Sequence, residues 1–72
     1  MKNIEQLIEA ERKIGIDLLT NRNKEVVDYY CRLYDIFYNR FSLNNKVETN
    51  TSKYFALRQA NILIADYLKN EH

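Results

Sequence analysis

Proline and tryptophan are absent from this chain, and glycine, cysteine and histidine occur once each. Each absence removes a class of answer. Without proline, and with Gly15 alone, the usual punctuation of hairpins and long loops is missing. A lone Cys31 excludes a disulfide within the chain. With His72 as the single imidazole, no zinc-ligand spacing can be written, so neither a metal nor a cofactor is expected. The net charge of +1 provides no general field to attract DNA or an anionic membrane. No apolar run approaches the ~20 residues that span a bilayer. The N-terminal stretch alternates charged and apolar residues and lacks a signal-peptide core, so the expected location is the cytoplasm. Abundant Asn, Ile, Lys and Tyr is the pattern of an AT-rich coding sequence, as in many phages and plasmids.

What is present is one aromatic helix. From Glu25 to Phe41 the polar residues Glu25, Asp28, Arg32, Asp35 and Asn39 fall on a narrow stripe at ~100° per residue. The remaining arc of roughly 220° is apolar or aromatic, interrupted by Arg40. Such a helix must be covered from several sides. The chain has 72 residues, enough for one domain, and a domain of that size buries only about 60% of its unfolded surface. Small scaffolds compensate with a dense aromatic core or by self-association.

The expected fold is all-α: a small three-helix bundle occupying residues 1–72 as a single domain, with an antiparallel first hairpin and the aromatic second helix central. Helix 1 is predicted over 4–19, with Asn3 as N-cap and Gln6 in the capping-box place. Its apolar stripe contains Ile4, Leu7, Ile8, Ile14, Leu18 and Leu19, and also two odd members, Glu11 and Gly15. An interior glycine costs about 1 kcal/mol relative to Ala, which is explained if Gly15 makes room for a large ring from helix 2, Phe37 or a tyrosine. Glu11 cannot be buried bare. Arg40 lies too far along an antiparallel hairpin to reach it, whereas Tyr30 or Tyr34 lies at about the right height. Asn21 is suited to ending helix 1 and Asn23 to capping helix 2, predicted over 24–41. Within helix 2, Asp28 and Arg32 are spaced for an i,i+4 pair, and Cys31 reads as a half-buried structural thiol. Residues 42–50 form the one true loop, with Asn44 and Asn45 at its turn. Helix 3 is predicted over 52–69, capped by Asn50, Thr51 or Ser52, with Leu57, Ala60, Leu63, Ile64, Tyr67 and Leu68 facing inward and Ala56 and Ala60 permitting close approach.

No Gly-rich phosphate loop, nucleophile elbow or Ser/His/Asp set occurs, so the chain does not read as an enzyme. Cys31-Arg32-Leu33-Tyr34-Asp35 resembles, in its place on a second helix, the Ser-Gln-Glu-Leu-Asp motif of the two-helix aspartyl-phosphate phosphatase peptides. Only the final Asp coincides and the third helix has no counterpart there, so no activity is carried over. A protein partner is the expectation: Phe55 and Ile62 lie on one line of helix 3 beside Arg58, and Glu25, Asp28 and Asp35 form an acidic stripe on helix 2. The surplus apolar arc of helix 2 predicts a homodimer through its flanks, Tyr29 with Ile36 and Tyr34 with Tyr38. The function read from these features is a small regulatory or inhibitory module. A helix-turn-helix DNA reader is the rival, although the basic residues are dispersed among acids. A purely structural subunit is a third reading.

Overall fold

The computed structural model describes residues 3–43 and 48–70. They form three helices, α1 (Ile4–Leu19), α2 (Lys24–Ser42) and α3 (Thr49–Lys69), and contain no strand. The caps predicted for the first two helices are made. The Asn3 side chain accepts from the Gln6 N–H at 2.9 Å, and Asn23 accepts from the Val26 N–H at 3.0 Å. Asn21 takes the left-handed conformation, φ 64°, that reverses the chain between α1 and α2. Asn44 and Asn45 lie outside the described residues.

The chain is a three-helix bundle, as its sequence implies. α3 packs extensively against both α1 and α2, whereas α1 and α2 touch each other sparsely. The helix shared by the other two is therefore α3, and α2 lies to one side of it, bringing most of the aromatic rings. Size explains the arrangement. Ser52, Ala56 and Ala60, spaced by one turn, are completely buried and let two helices approach α3 closely. Ile64 continues that line, fully buried, and the core around it includes Val26, Tyr30 and Leu33 of α2.

The direction of each helix follows from its neighbours. Tyr29 packs on Tyr67 with ring centroids 5.2 Å apart and Phe41 on Phe55 at 5.9 Å, so α2 runs antiparallel to α3. Glu11 bonds Asn61, while Ile8 and Leu57 share one hollow and Leu18 and Ala65 another. α1 is accordingly parallel to α3.

Several expectations drawn from periodicity need correction. α3 begins at Thr49 with Glu48 as its N-cap residue, and Glu48 makes no side-chain cap bond, so Asn50, Thr51 and Ser52 are helical rather than capping. Packing decides the start, because Ser52 is completely buried and the helix must already be formed around it. Leu63 and Tyr67 of α3 and Ile14 of α1 are exposed rather than internal. The buried face of α3 is centred on Ser52, Ala56, Ala60, Asn61 and Ile64, which leaves Leu63 and Tyr67 outside it. Cys31 is exposed, not half-buried. Asp28 pairs with Lys24 at 3.5 Å in place of Arg32. Arg40 lies over the Phe37 ring, 5.9 Å from its centroid, a contact open to a side chain whose long stem follows apolar surface.

Candidate interaction faces

One polar network fixes the helices on which the candidate faces are built. Asn61 is only 4% exposed. Its amide nitrogen donates to the Glu11 backbone carbonyl at 2.8 Å and to Glu11 Oε1 at 3.0 Å, and its Oδ1 accepts from the Tyr30 hydroxyl at 2.6 Å. The amide can point only one way, since the nitrogen faces two acceptors and the oxygen faces a donor. One residue of α3 thus ties α1 to α2. Tyr30 is at the height expected for Glu11, but the link between them passes through Asn61.

Gly15 belongs to the same junction. A Cβ at this position would lie 2.5 Å from the Tyr30 hydroxyl oxygen and 3.1 Å from both Tyr30 Cζ and Asn61 Oδ1. The glycine does make room for a tyrosine. Gly15→Ala gains about 1 kcal/mol of helix propensity but crowds a buried phenol held by a hydrogen bond, an overpacking cost of about 1–3 kcal/mol. Net destabilisation of about 1 kcal/mol, or a Tm lowered by about 5 °C, is expected. In a Tyr30→Phe background the closest oxygen is gone and the same substitution should become neutral or stabilising. Thermal unfolding of the four proteins of that cycle measures this coupling; equal shifts in both backgrounds would contradict the steric account.

Burial also acts on the phenols. The Tyr30 hydroxyl is pushed up to about 12, first by desolvation and then by the Glu11 charge, with smaller contributions from Cys31 and Tyr34. The Tyr34 hydroxyl is raised by burial and by Tyr38 and Asp35, with Arg12 opposing.

Beside the network, α1 and α3 enclose a shallow groove of 410 Å³. Its sides are apolar, Ile14 and Leu18 facing Ile62 and Ala65, and Glu11 and Arg58 also line it. Ile14 is 45% and Ile62 51% exposed. Arg58 donates to the Tyr54 hydroxyl at 3.3 Å. Ile62 and Arg58 therefore share one surface, as their spacing suggested. Phe55 does not line this groove. Its ring packs on Phe41 and on Tyr54, at 5.9 and 5.2 Å, where the end of α2 meets the start of α3.

The acidic residues Glu25, Asp28 and Asp35 are all exposed on α2. Asp35 borders a different hollow, one with no lining residue in common with the Ile62 groove. On the dimer flanks, Ile36 is 47% exposed, while Tyr34 and Tyr38 stack on each other at 5.9 Å and are half-buried. Tyr29 joins Leu63, Tyr67 and Asp66 around an open depression between α2 and α3. Ile14, Leu63 and Tyr67 are surface residues that periodicity alone assigned to the core. Among the described residues no group of His, Cys, Asp or Glu could hold a metal ion, and no helix is long and apolar enough to cross a membrane. Comparison of the chain with protein-family models, with curated proteins and with solved structures finds no match.

Proposed function

We propose that this chain is a small non-enzymatic module that regulates or inhibits a larger protein by binding it, with the α1/α3 groove around Ile62 as the contact. The observation that carries the reading is the exposure of Ile14 and Ile62, about half of each, on facing sides of one apolar groove that also carries Arg58 and Glu11. Apolar anchors give affinity and neighbouring charges give orientation. An amphipathic helix of the partner suits such a groove, its apolar residues entering between Ile14 and Ile62.

Covering the exposed half of two isoleucines contributes about 0.8–1.5 kcal/mol each before the costs of association, and an aspartate in place of either adds the cost of desolvating a charge. An Ile14→Asp, Ile62→Asp double variant should therefore bind the partner at least about 30-fold more weakly while keeping its helical circular dichroism, since both side chains are exposed. Capture from source-cell lysate, with and without nuclease, separates the classes of partner. A stoichiometric protein retained after nuclease and lost with the double variant supports the proposal. Recovery of nucleic acid alone, with affinity falling steeply as salt rises, would favour the DNA-binding regulator.

Self-association belongs to the same proposal. Tyr29, Leu63 and Tyr67 surround the α2/α3 depression, and Ile36 lies two turns along α2 from Tyr29. Sedimentation equilibrium at micromolar concentration should give two chains per particle, and one chain for Ile36→Asp. A concentration-independent monomer mass for the unaltered protein removes the homodimer from the proposal.

A further inference from the structure

A second hollow, of 420 Å³, opens where residues from all three helices meet on another side of the bundle. Ile8 of α1 and Leu57 of α3 supply apolar surface, and Tyr34 of α2 adds a half-buried ring. Two cations border the hollow, Arg12 from α1 and Lys53 from α3, against one carboxylate, Asp35. Neither cation is committed elsewhere in a way that would hold it back. Arg12 pairs with Glu9 of its own helix at 2.8 Å, but both side chains are more than half exposed, and such surface pairs contribute little. Lys53 is partly buried and makes no ion pair among the described residues. Arg12 and Lys53 together outweigh Asp35, so the border of the hollow carries a net positive charge that attracts an anion.

Size and chemistry together select the ligand. Small-molecule sites occupy about 300–1,000 Å³ and combine apolar lining with a few convergent polar groups. We infer that this hollow binds a small aromatic monoanion, a molecule of one to three rings with a carboxylate or sulfonate. Its ring lies against Ile8, Leu57 and Tyr34, and its charge lies between Arg12 and Lys53. Asp35 on the same border repels a doubly charged group, which disfavours phosphate esters. This site is independent of the Ile62 groove, with which it shares no lining residue.

Cys31 also lines the hollow and is the chain's one thiol, so it reports occupancy directly. The test uses two probes of similar shape, anilinonaphthalene sulfonate and the neutral N-phenylnaphthylamine, with the intact chain. Saturable binding of the sulfonate at one site is expected, at least about tenfold tighter than the neutral probe, together with slower alkylation of Cys31 by iodoacetamide at saturation. Arg12→Ala and Lys53→Ala should each weaken sulfonate binding about fivefold to tenfold. Lys53→Arg, which keeps the charge, and Lys13→Ala, which lies outside the hollow, should change it less than about twofold. Near-UV circular dichroism from the tyrosines, unchanged in every variant, ensures that the probe reads the folded hollow. Equal affinity for the two probes, unprotected Cys31, or no saturable binding up to millimolar sulfonate would overturn the assignment.

Discussion

Asn61→Asp should leave the chain largely unfolded at neutral pH and let it recover part of its stability as the solution is acidified toward pH 4. The substitution preserves shape, so the effect is chemical. The Asn61 nitrogen donates to the Glu11 carbonyl and to Glu11 Oε1 at 2.8 and 3.0 Å, and a carboxylate oxygen in its place has nothing to donate. Two hydrogen bonds are lost and two acceptors are left facing a negative charge at a position that is 4% exposed. Unsatisfied buried groups cost about 1–3 kcal/mol each, and an unpaired buried charge adds several more. Folded chains of this length have stabilities of roughly 4–10 kcal/mol, so the sum is comparable with the whole. The sign of the pH dependence follows from linkage. Burial raises the introduced carboxyl above its unfolded value of about 3.9. The folded state then binds more protons than the unfolded one, and the stability present below about pH 4 is lost as pH rises toward the folded pKa. Urea unfolding at pH 4 and pH 7 measures it. Equal stability at both values would mean that Asn61 is not enclosed as described.

The second large effect is alkaline. With the Tyr30 hydroxyl raised to about 12 from 10.0, the folded state retains its proton where the unfolded chain has released it. That contribution is fully present below pH 10 and disappears as pH rises to about 12, a loss on the order of 3 kcal/mol. The raised Tyr34 hydroxyl acts in the same direction. Two measurements check this. Absorbance titration near 295 nm, taken as the difference between the unaltered chain and Tyr30→Phe, should show one phenol ionising near pH 12. Denaturant midpoints between pH 10 and 12 should fall more steeply for the unaltered chain than for Tyr30→Phe. Parallel curves would place Tyr30 in solvent.

Much of this architecture was legible because capping and spacing are local. Asn3 and Asn23 cap the starts of the first two helices with their own side chains, Asn21 ends α1 in the left-handed conformation, and the glycine in the stripe of α1 announced a ring, found to be that of Tyr30. What periodicity could not provide was the identity of the shared helix. A hydrophobic arc ranks α2 first, yet the closest packing goes to the helix with the smallest residues, Ser52, Ala56 and Ala60. Asn61 was passed over for a related reason. An asparagine between Ala60 and Ile62 reads as the polar edge of a helix, and only its partners, 31 and 50 residues away in the chain, give it an inner place. The Ile62 and Arg58 pairing was visible from sequence. Its facing wall, Ile14 and Leu18, was assigned to the core, because nothing in the sequence of α1 tells which part of an apolar stripe α3 leaves uncovered.

The parallel course of α1 and α3 bears on how the chain is made. A ribosome releases α1 first, but the partner against which α1 packs broadly is α3, and its hydrogen bonds to Asn61 close over 50 residues. Loop closure of that length is an entropic cost met before any reward. α2 and α3 are adjacent in the chain and can pair as soon as both have emerged. In the nascent chain α1 is therefore an amphipathic segment whose seat is complete only once Asn61 has left the ribosome.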